Sequence, residues 1–338
     1  MKKIILGLLG LLFTGVSFAQ NKALDHTVYD SWKDLRSPSI SGSGQFVWYT
    51  LAEQKGNSSL QLYSDLSKTH WTFDLATEGQ MTYDEKYFVF MTMPEYWNLR
   101  TLKRRGTEDL DLPKASLVIF NLENQTMDTI PYVKSFEIPE KGSDWVVLKT
   151  YKYENTIEVA DTNLNDSLEM EDEVITVEEM TVFRSLSDTN NLSLEGVESY
   201  SLATQGTWAI AKLKEKDSTQ FSGIVKINRA DWSLEYIDTT REEYGKIGIN
   251  ATGDQMAWTW TQDTSDTEQK PYSLSVYNTK MTREIEAGTQ YANWTISPFA
   301  KPSFSDDSKV LYFELREPQR VFEEDSLTPD KEKVKLDI

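Results

Sequence analysis

The chain has 338 residues, no cysteine and a formal net charge of −19. Without cysteine it can build neither a disulfide framework nor a thiolate metal centre, and so acidic a surface disfavours nucleic acid and anionic membranes as partners. Aromatic residues make up 12% of the chain, with 10 Trp and 16 Tyr, and together with frequent Thr and Val they suit the half-buried surface of a pleated sheet.

The first residues predict an export signal. Lys2 and Lys3 precede an apolar run over residues 4–16, and Ser17-Phe18-Ala19 places small residues where a signal peptidase reads them. The expected cleavage lies between Ala19 and Gln20. The apolar run is too short to span a bilayer, and no later stretch is long enough to try, so the expected destination is the periplasm or the medium, with no integral membrane span left after cleavage. Residues 20–37 are expected to form a leader with a short helix, capped by Asp25, whose Val28, Trp32 and Leu35 share one face.

From residue 38 onward one pattern recurs. A small or polar turn leads into four or five almost wholly apolar residues: Ser41-Gly42-Ser43-Gly44 before Phe46-Val47-Trp48-Tyr49, then Tyr83-Asp84-Glu85-Lys86 before Tyr87-Phe88-Val89-Phe90. It returns before Trp145-Val146-Val147-Leu148, Trp208-Ala209-Ile210-Ala211, Met256-Ala257-Trp258 and Val310-Leu311-Tyr312-Phe313. The period of roughly 40 to 65 residues is that of solenoids, propellers and arrays. After most runs comes an alternating pair of strands about a polar turn, clearest at Leu274-Ser275-Val276-Tyr277, Asn278-Thr279-Lys280 and the strand that follows. A run that is apolar on both faces needs cover on both sides, which propeller blades stacked about an axis supply to their middle strands. A flat sandwich would not need the same order of elements six times. The expected fold is therefore all-β, an incomplete β-propeller of about five to six blades over residues 38–338.

Two stretches interrupt the rhythm. Residues 96–114, with Lys103-Arg104-Arg105, read as a solvated loop or short helix. Residues 152–179, with Glu171-Asp172-Glu173 and Glu178-Glu179, read as a mobile, disordered acidic insertion. After the sixth run, Val334 to Ile338 forms an alternating stretch with no return strand behind it, so the propeller is expected to be cut short within a repeat.

Chemistry-bearing motifs are few. No Gly-x-Ser-x-Gly occurs. His26 and His70 are the only histidines, and neither lies near a nucleophile motif, so both read as structural. Asp161, Asn163, Asn165 and Asp172 have the spacing of a calcium loop, but Asp166 stands where its sharp turn requires glycine. No catalytic residue, cofactor or metal is expected from these residues.

Three stretches carry a family resemblance. Leu24-Asp25-His26-Thr27-Val28-Tyr29-Asp30-Ser31-Trp32-Lys33 resembles the mature start of large exported bacterial serine peptidases of the prolyl oligopeptidase family. Residues 130–136, running into Pro139-Glu140-Lys141-Gly142 and Trp145, are similar to that family's passage from second to third blade. Ser297-Pro298 and Lys301-Pro302-Ser303-Phe304-Ser305-Asp306-Asp307 resemble its repeated propeller turn, shared with TolB-like propellers, with Ser308 in place of the usual glycine. The resemblance implies a propeller that precedes an α/β-hydrolase domain and gates the entry of small peptides to a Ser-Asp-His triad. None of the triad positions falls in this sequence, and Glu178-Glu179 does not match the context in which some relatives hold a peptide's amino end. The expectation is thus a gating propeller without activity of its own, partnered by peptides or by a separate hydrolase segment. The alternative is a stand-alone periplasmic propeller that binds a protein partner.

Overall fold

A computed structural model describes residue 29 and residues 32–317, apart from 143, 161–169, 215–221, 266–269, 280 and 287–293. The predicted signal and its Ala19–Gln20 junction, His26 and most of the expected leader helix lie outside the described residues, as does the first part of the calcium-like loop. The chain falls into two compact units, one of residues up to 79 with 92–108, the other of residues 80–91 with everything from 109 onward.

The first unit carries a four-stranded antiparallel sheet of β1 (Lys33–Ile40), β2 (Phe46–Glu53), β3 (Ser58–Ser64) and β4 (Thr69–Asp74), paired in chain order. Its strand β1 begins inside the stretch expected as leader: Leu35 pairs with Leu51 across the sheet and is not on a helix. The segment Lys33–Ile40 needs only one paired edge to be extended, and Pro38 disfavours helix at the residue before it. His70 sits on β4, exposed and opposite Tyr63.

A second sheet follows, of β5 (Ala76–Met81), β6 (Tyr87–Thr92), β7 (Ser116–Asn121) and β8 (Met127–Ile130). Between β6 and β7 the predicted basic stretch folds in part into helix α1 (Tyr96–Arg104), whose N-cap Glu95 accepts from the backbone N–H groups of Trp97 and Asn98. Lys103 and Arg104 in its last turn complement the helix dipole.

In the second unit the third sheet has β9 (Val133–Glu137), β10 (Trp145–Thr150), β13 (Met180–Ser185) and β14 (Asn191–Glu195), with β11 (Tyr153–Ala160) and β12 (Met170–Val177) inserted after β10. The acidic stretch expected to be mobile is thus a regular antiparallel hairpin over these residues, in register from Tyr153↔Val177 to Ala160↔Met170. Its charges hid the β-branched residues Thr156, Ile157, Val159, Val174, Ile175, Thr176 and Val177, which favour a strand. Glu178 and Glu179 close the hairpin's base as partners of Lys152 at 2.9 Å and Lys134 at 3.0 Å.

The fourth sheet comprises β15 (Val197–Leu202), β16 (Trp208–Leu213), β17 (Gly223–Asn228) and β18 (Leu234–Asp238). The fifth comprises β19 (Glu243–Ile249), β20 (Gln255–Thr261), β21 (Ser273–Asn278) and β22 (Met281–Ile285). A sixth element pairs β23 (Thr295–Ile296) with β26 (Leu315–Arg316) and β24 (Ser303–Phe304) with β25 (Leu311–Tyr312). Every apolar run read from the sequence lies in or beside the second strand of its sheet.

The sheets of the second unit are stacked through shared cores. Val89, Leu117, Val146 and Leu148 join the second sheet to the third. Trp145, Phe183, Ala209 and Val225 join the third to the fourth. Ile210, Ile224, Met256 and Trp258 join the fourth to the fifth, and Ala257 and Leu274 with Phe304 and Leu311 join the fifth to the sixth. Of the third strands, β7 and β17 are covered on both faces, with Ile224, Val225, Lys226 and Ile227 of β17 all buried, while β13 alternates buried and half-buried residues. The Lys226 ammonium lies 3.9 Å from the centroid of Trp208 and 5.6 Å from that of Tyr277, so a ring on each sheet receives its charge. The fourth strand β8 is mostly exposed, and β18 has no buried residue.

The recurrent turn has one geometry. Ser41, Thr82, Ala203, Asn250 and Ser305 each donate their N–H to the carbonyl five residues on, and each accepts from the N–H three residues on. That third residue is Gly44, Glu85, Gly206, Gly253 or Ser308, always at positive φ between 58° and 82°; glycine adopts it without steric cost, whereas Glu85 and Ser308 adopt it against the clash of their Cβ. In the second unit the turns are laced together. Lys141 donates to Thr204 at 2.8 Å and Gln205 to Ala251 at 3.0 Å, and Asn250 and Gln255 reach Ser308 at 2.9 and 3.1 Å. A Cβ on Gly206 would stand 2.6 Å from the Gly142 Cα. Gly206→Ala combines that collision with an unfavourable backbone, so we expect a loss of at least about 2 kcal/mol, read as a lowered urea midpoint at unchanged m.

Candidate functional site

The fourth, fifth and sixth sheets enclose a cleft of about 660 Å³. Its walls are the starts of the first strands β15 and β19, with Lys212 from β16, Lys270 and Tyr272 leading into β21, and Pro298 and Phe299 after β23. Both first strands break register where they line it. The irregularity in β15 lies between Val197 and Ser199, at Glu198, and that in β19 between Tyr244 and Ile247, at Gly245 and Lys246. An extra residue in one strand re-aims side chains, a device common beside binding sites. The bulge in β19 is held by Thr259, whose hydroxyl accepts from the Lys246 N–H at 2.9 Å. A Cβ on Gly245 would stand 2.3 Å from that hydroxyl, which accounts for glycine there.

Charge in the cleft is mostly paired. Lys212 Nζ contacts Glu198 Oε2 at 2.7 Å and donates to the Tyr244 carbonyl at 3.0 Å. Lys270 Nζ donates to Glu243 Oε2 at 2.7 Å, and the Tyr272 hydroxyl donates to Glu243 Oε1. These two bonds hold the Glu243 carboxyl below its ordinary range against the effect of burial. Burial first, then the Glu243 charge, pushes the Tyr272 hydroxyl up, so it stays a neutral donor. Lys246 lines the same cleft, is exposed and has no ion pair among the described residues. Phe299 stands at the wall 72% exposed, and Lys301 in the same segment donates to Ser201 on β15 at 2.9 Å.

Behind the cleft, Tyr244 anchors the corner between the fourth and fifth sheets. Its hydroxyl donates to Asp238 Oδ1 at 2.9 Å, and Trp258 Nε1 donates to Asp238 Oδ2 at 3.0 Å. The cleft is therefore a preorganised surface of ammonium groups, carboxylates and rings. Apart from Pro298, which belongs to the propeller-like turn stretch, none of its residues stands out in the sequence: they come from positions 198–299, fit no short motif and are assembled only by the stacking of sheets. The paired interruption of two first strands leaves no mark on hydrophobic periodicity. Among the described residues no cluster of His, Cys, Asp and Glu able to hold a metal ion occurs, and no helix is long and apolar enough to cross a membrane.

Successive four-stranded antiparallel sheets stacked face to face, with laced turns and a cleft beside their first strands, define a β-propeller. No family model matches the sequence, and no curated protein matches it. Among solved structures, the chain is similar to the β-propeller domain of the Trilobed protease from Pyrococcus furiosus, at 13% identity and a TM-score of 0.42 over 85% of this chain and 80% of that one. It is similar to Pyrococcus horikoshii acylaminoacyl peptidase at 12% identity and a TM-score of 0.39, covering 86% of this chain and 44% of the peptidase. TolB from Acinetobacter baumannii shows 10% identity and a TM-score of 0.32 over 79% of this chain and 57% of that one. The fold assignment rests on the sheets of this chain itself.

Proposed function

We propose that this chain is the peptide-admitting propeller of an exported serine peptidase of the prolyl oligopeptidase family, with the hydrolytic triad borne outside residues 1–338. The observation that carries the reading is the cleft beside the bulged strands β15 and β19, which offers an extended peptide polar groups, two rings and paired charges in a space of peptide size. The sequence stretches at residues 24–33, 130–145 and 297–307 supply the family. On this reading the purified chain binds short peptides, does not react with a fluorophosphonate probe and does not hydrolyse peptide substrates. Serine-directed labelling together with turnover of a peptide by the purified chain would contradict it. For the export step, amino-terminal sequencing of the protein recovered from the periplasm or medium is expected to begin at Gln20.

A second reading, a propeller that recruits a protein partner, is favoured by α1. No residue of this helix is buried, and Arg100, Lys103 and Arg104, with Arg105 at its C-cap, make it basic in a chain of net charge −19. Replacing Arg100, Lys103 and Arg104 by Glu would abolish recruitment on this reading and leave peptide binding unchanged on the first.

A further inference from the structure

Resting on the peptide reading above, we infer that the cleft recognises its ligand by a free carboxylate, taken by Lys246, with an apolar side chain seated on Phe299. The argument is one of charge left over. Three ammonium groups and two carboxylates line the cleft. Glu198 is engaged by Lys212, and both oxygens of Glu243 are engaged, by Lys270 and by the Tyr272 hydroxyl. Of the three cations lining the cleft, Lys246 is the one with no ion pair among the described residues. An approaching ammonium group therefore finds each carboxylate already paired with a lysine, whereas an approaching carboxylate finds a positive charge without a counter-ion in an otherwise strongly acidic protein. The bulge between Tyr244 and Ile247 sets Lys246 in the wall, and the bond from its N–H to Thr259 fixes that backbone.

The second half of the ligand follows from Phe299. A phenyl ring 72% exposed is costly to leave in water and gains from an apolar partner. The Arg316 guanidinium, 5.8 Å from the ring centroid, lies beside this platform. The class of ligand that satisfies both is a peptide whose last residue is apolar and whose carboxyl end is free.

The test is calorimetric titration of the chain with the peptide Gly-Gly-Leu-Phe, its C-terminal amide and its N-acetylated form. A charge-assisted hydrogen bond of ordinary strength corresponds to roughly 10- to 100-fold in affinity. The free acid is therefore expected to bind at least about tenfold more tightly than the amide, and acetylation of the amino end to make no difference. Lys246→Gln should erase the difference between acid and amide while Phe299→Ala weakens both; each residue is exposed, so folding is not at stake. Equal affinity for acid and amide, or a difference that survives Lys246→Gln, overturns the inference and leaves the peptide reading standing. Binding of 3-phenylpropionate without binding of any peptide form supports the carboxylate site and sinks the peptide reading. Binding of none of these probes overturns the inference.

Discussion

Trp145→Ala is expected to cost about 4 kcal/mol of folding stability and to lower the melting temperature by on the order of 10 °C. The indole is 1% exposed in the core between the third and fourth sheets. Its ring lies 6.0 Å from that of Phe183 in a stacked arrangement and 6.2 Å from that of Trp232 edge-on. Its Nε1 donates to the Gly206 carbonyl at 2.6 Å, in the turn between β15 and β16 of the next sheet. Alanine removes the ring and orphans that carbonyl together. Trp145→Phe separates the two effects: it keeps an aromatic body and loses the bond, for about 1–2 kcal/mol. Differential scanning calorimetry of the three proteins checks the order. Equal melting temperatures for the wild type and the alanine variant would mean that these sheets do not share a core.

Asp238→Ala is the second large effect, at about 3–5 kcal/mol. This carboxylate, with its side chain 7% exposed, accepts from Tyr244, Trp258, the Thr240 N–H and hydroxyl, and Arg241 Nε. Arg241 also stacks on Trp260, its guanidinium 3.7 Å from the ring centroid. Truncation leaves the buried Tyr244 hydroxyl and Trp258 indole N–H without their acceptor and leaves Glu284 as the remaining carboxylate partner of Arg241, which costs more than the pairing itself supplies. The same network governs acid behaviour. Burial pushes the Asp238 carboxyl up, but the bonds from Thr240, Tyr244 and Trp258 outweigh it and hold the group below its ordinary range. A carboxyl depressed in the folded state adds stability above its unfolded value and loses it as pH falls through the folded one. Urea titrations of the wild type should therefore show stability falling below about pH 4, with a shallower fall in Asp238→Asn; parallel curves would assign the acid sensitivity to other carboxylates.

Much of the fold was legible because its strongest signals are local. Phe88, Val89 and Phe90, or Val146, Val147 and Leu148, are contiguous apolar residues, and contiguity announces a strand covered twice. The turn before them announces itself through the residue at positive φ, glycine at positions 44, 206 and 253. The third strand β17 departs from its sequence pattern for a physical reason. Alternation at Ile224-Val225-Lys226-Ile227 suggests one wet face, yet Lys226 is buried because aromatic faces on two sheets receive its charge. In β11 and β12 the density of carboxylates concealed strand propensity. The spacing of Leu35 from Val28 and Trp32 predicts a helix, although its backbone pairs with Leu51. The cleft was beyond reach of the sequence, since the pairing of Lys212 with Glu198 and of Lys270 with Glu243 depends on how one sheet is offset against the next.

These expectations share a single foundation, the face-to-face stacking of four-stranded sheets, and amide hydrogen exchange followed by mass spectrometry measures it most directly. Opening free energies are highest where strands are buried on both faces. The slowest exchange should therefore recur at β6 and β7, β10 and β13, β16 and β17, and β20 and β21, with faster exchange at the outer strands β8 and β18 between them. Protection that rises and falls with that period supports the stacked sheets. Uniform protection, or slow exchange concentrated in α1 and the outer strands, would contradict them, and with them the cleft that the stacking builds.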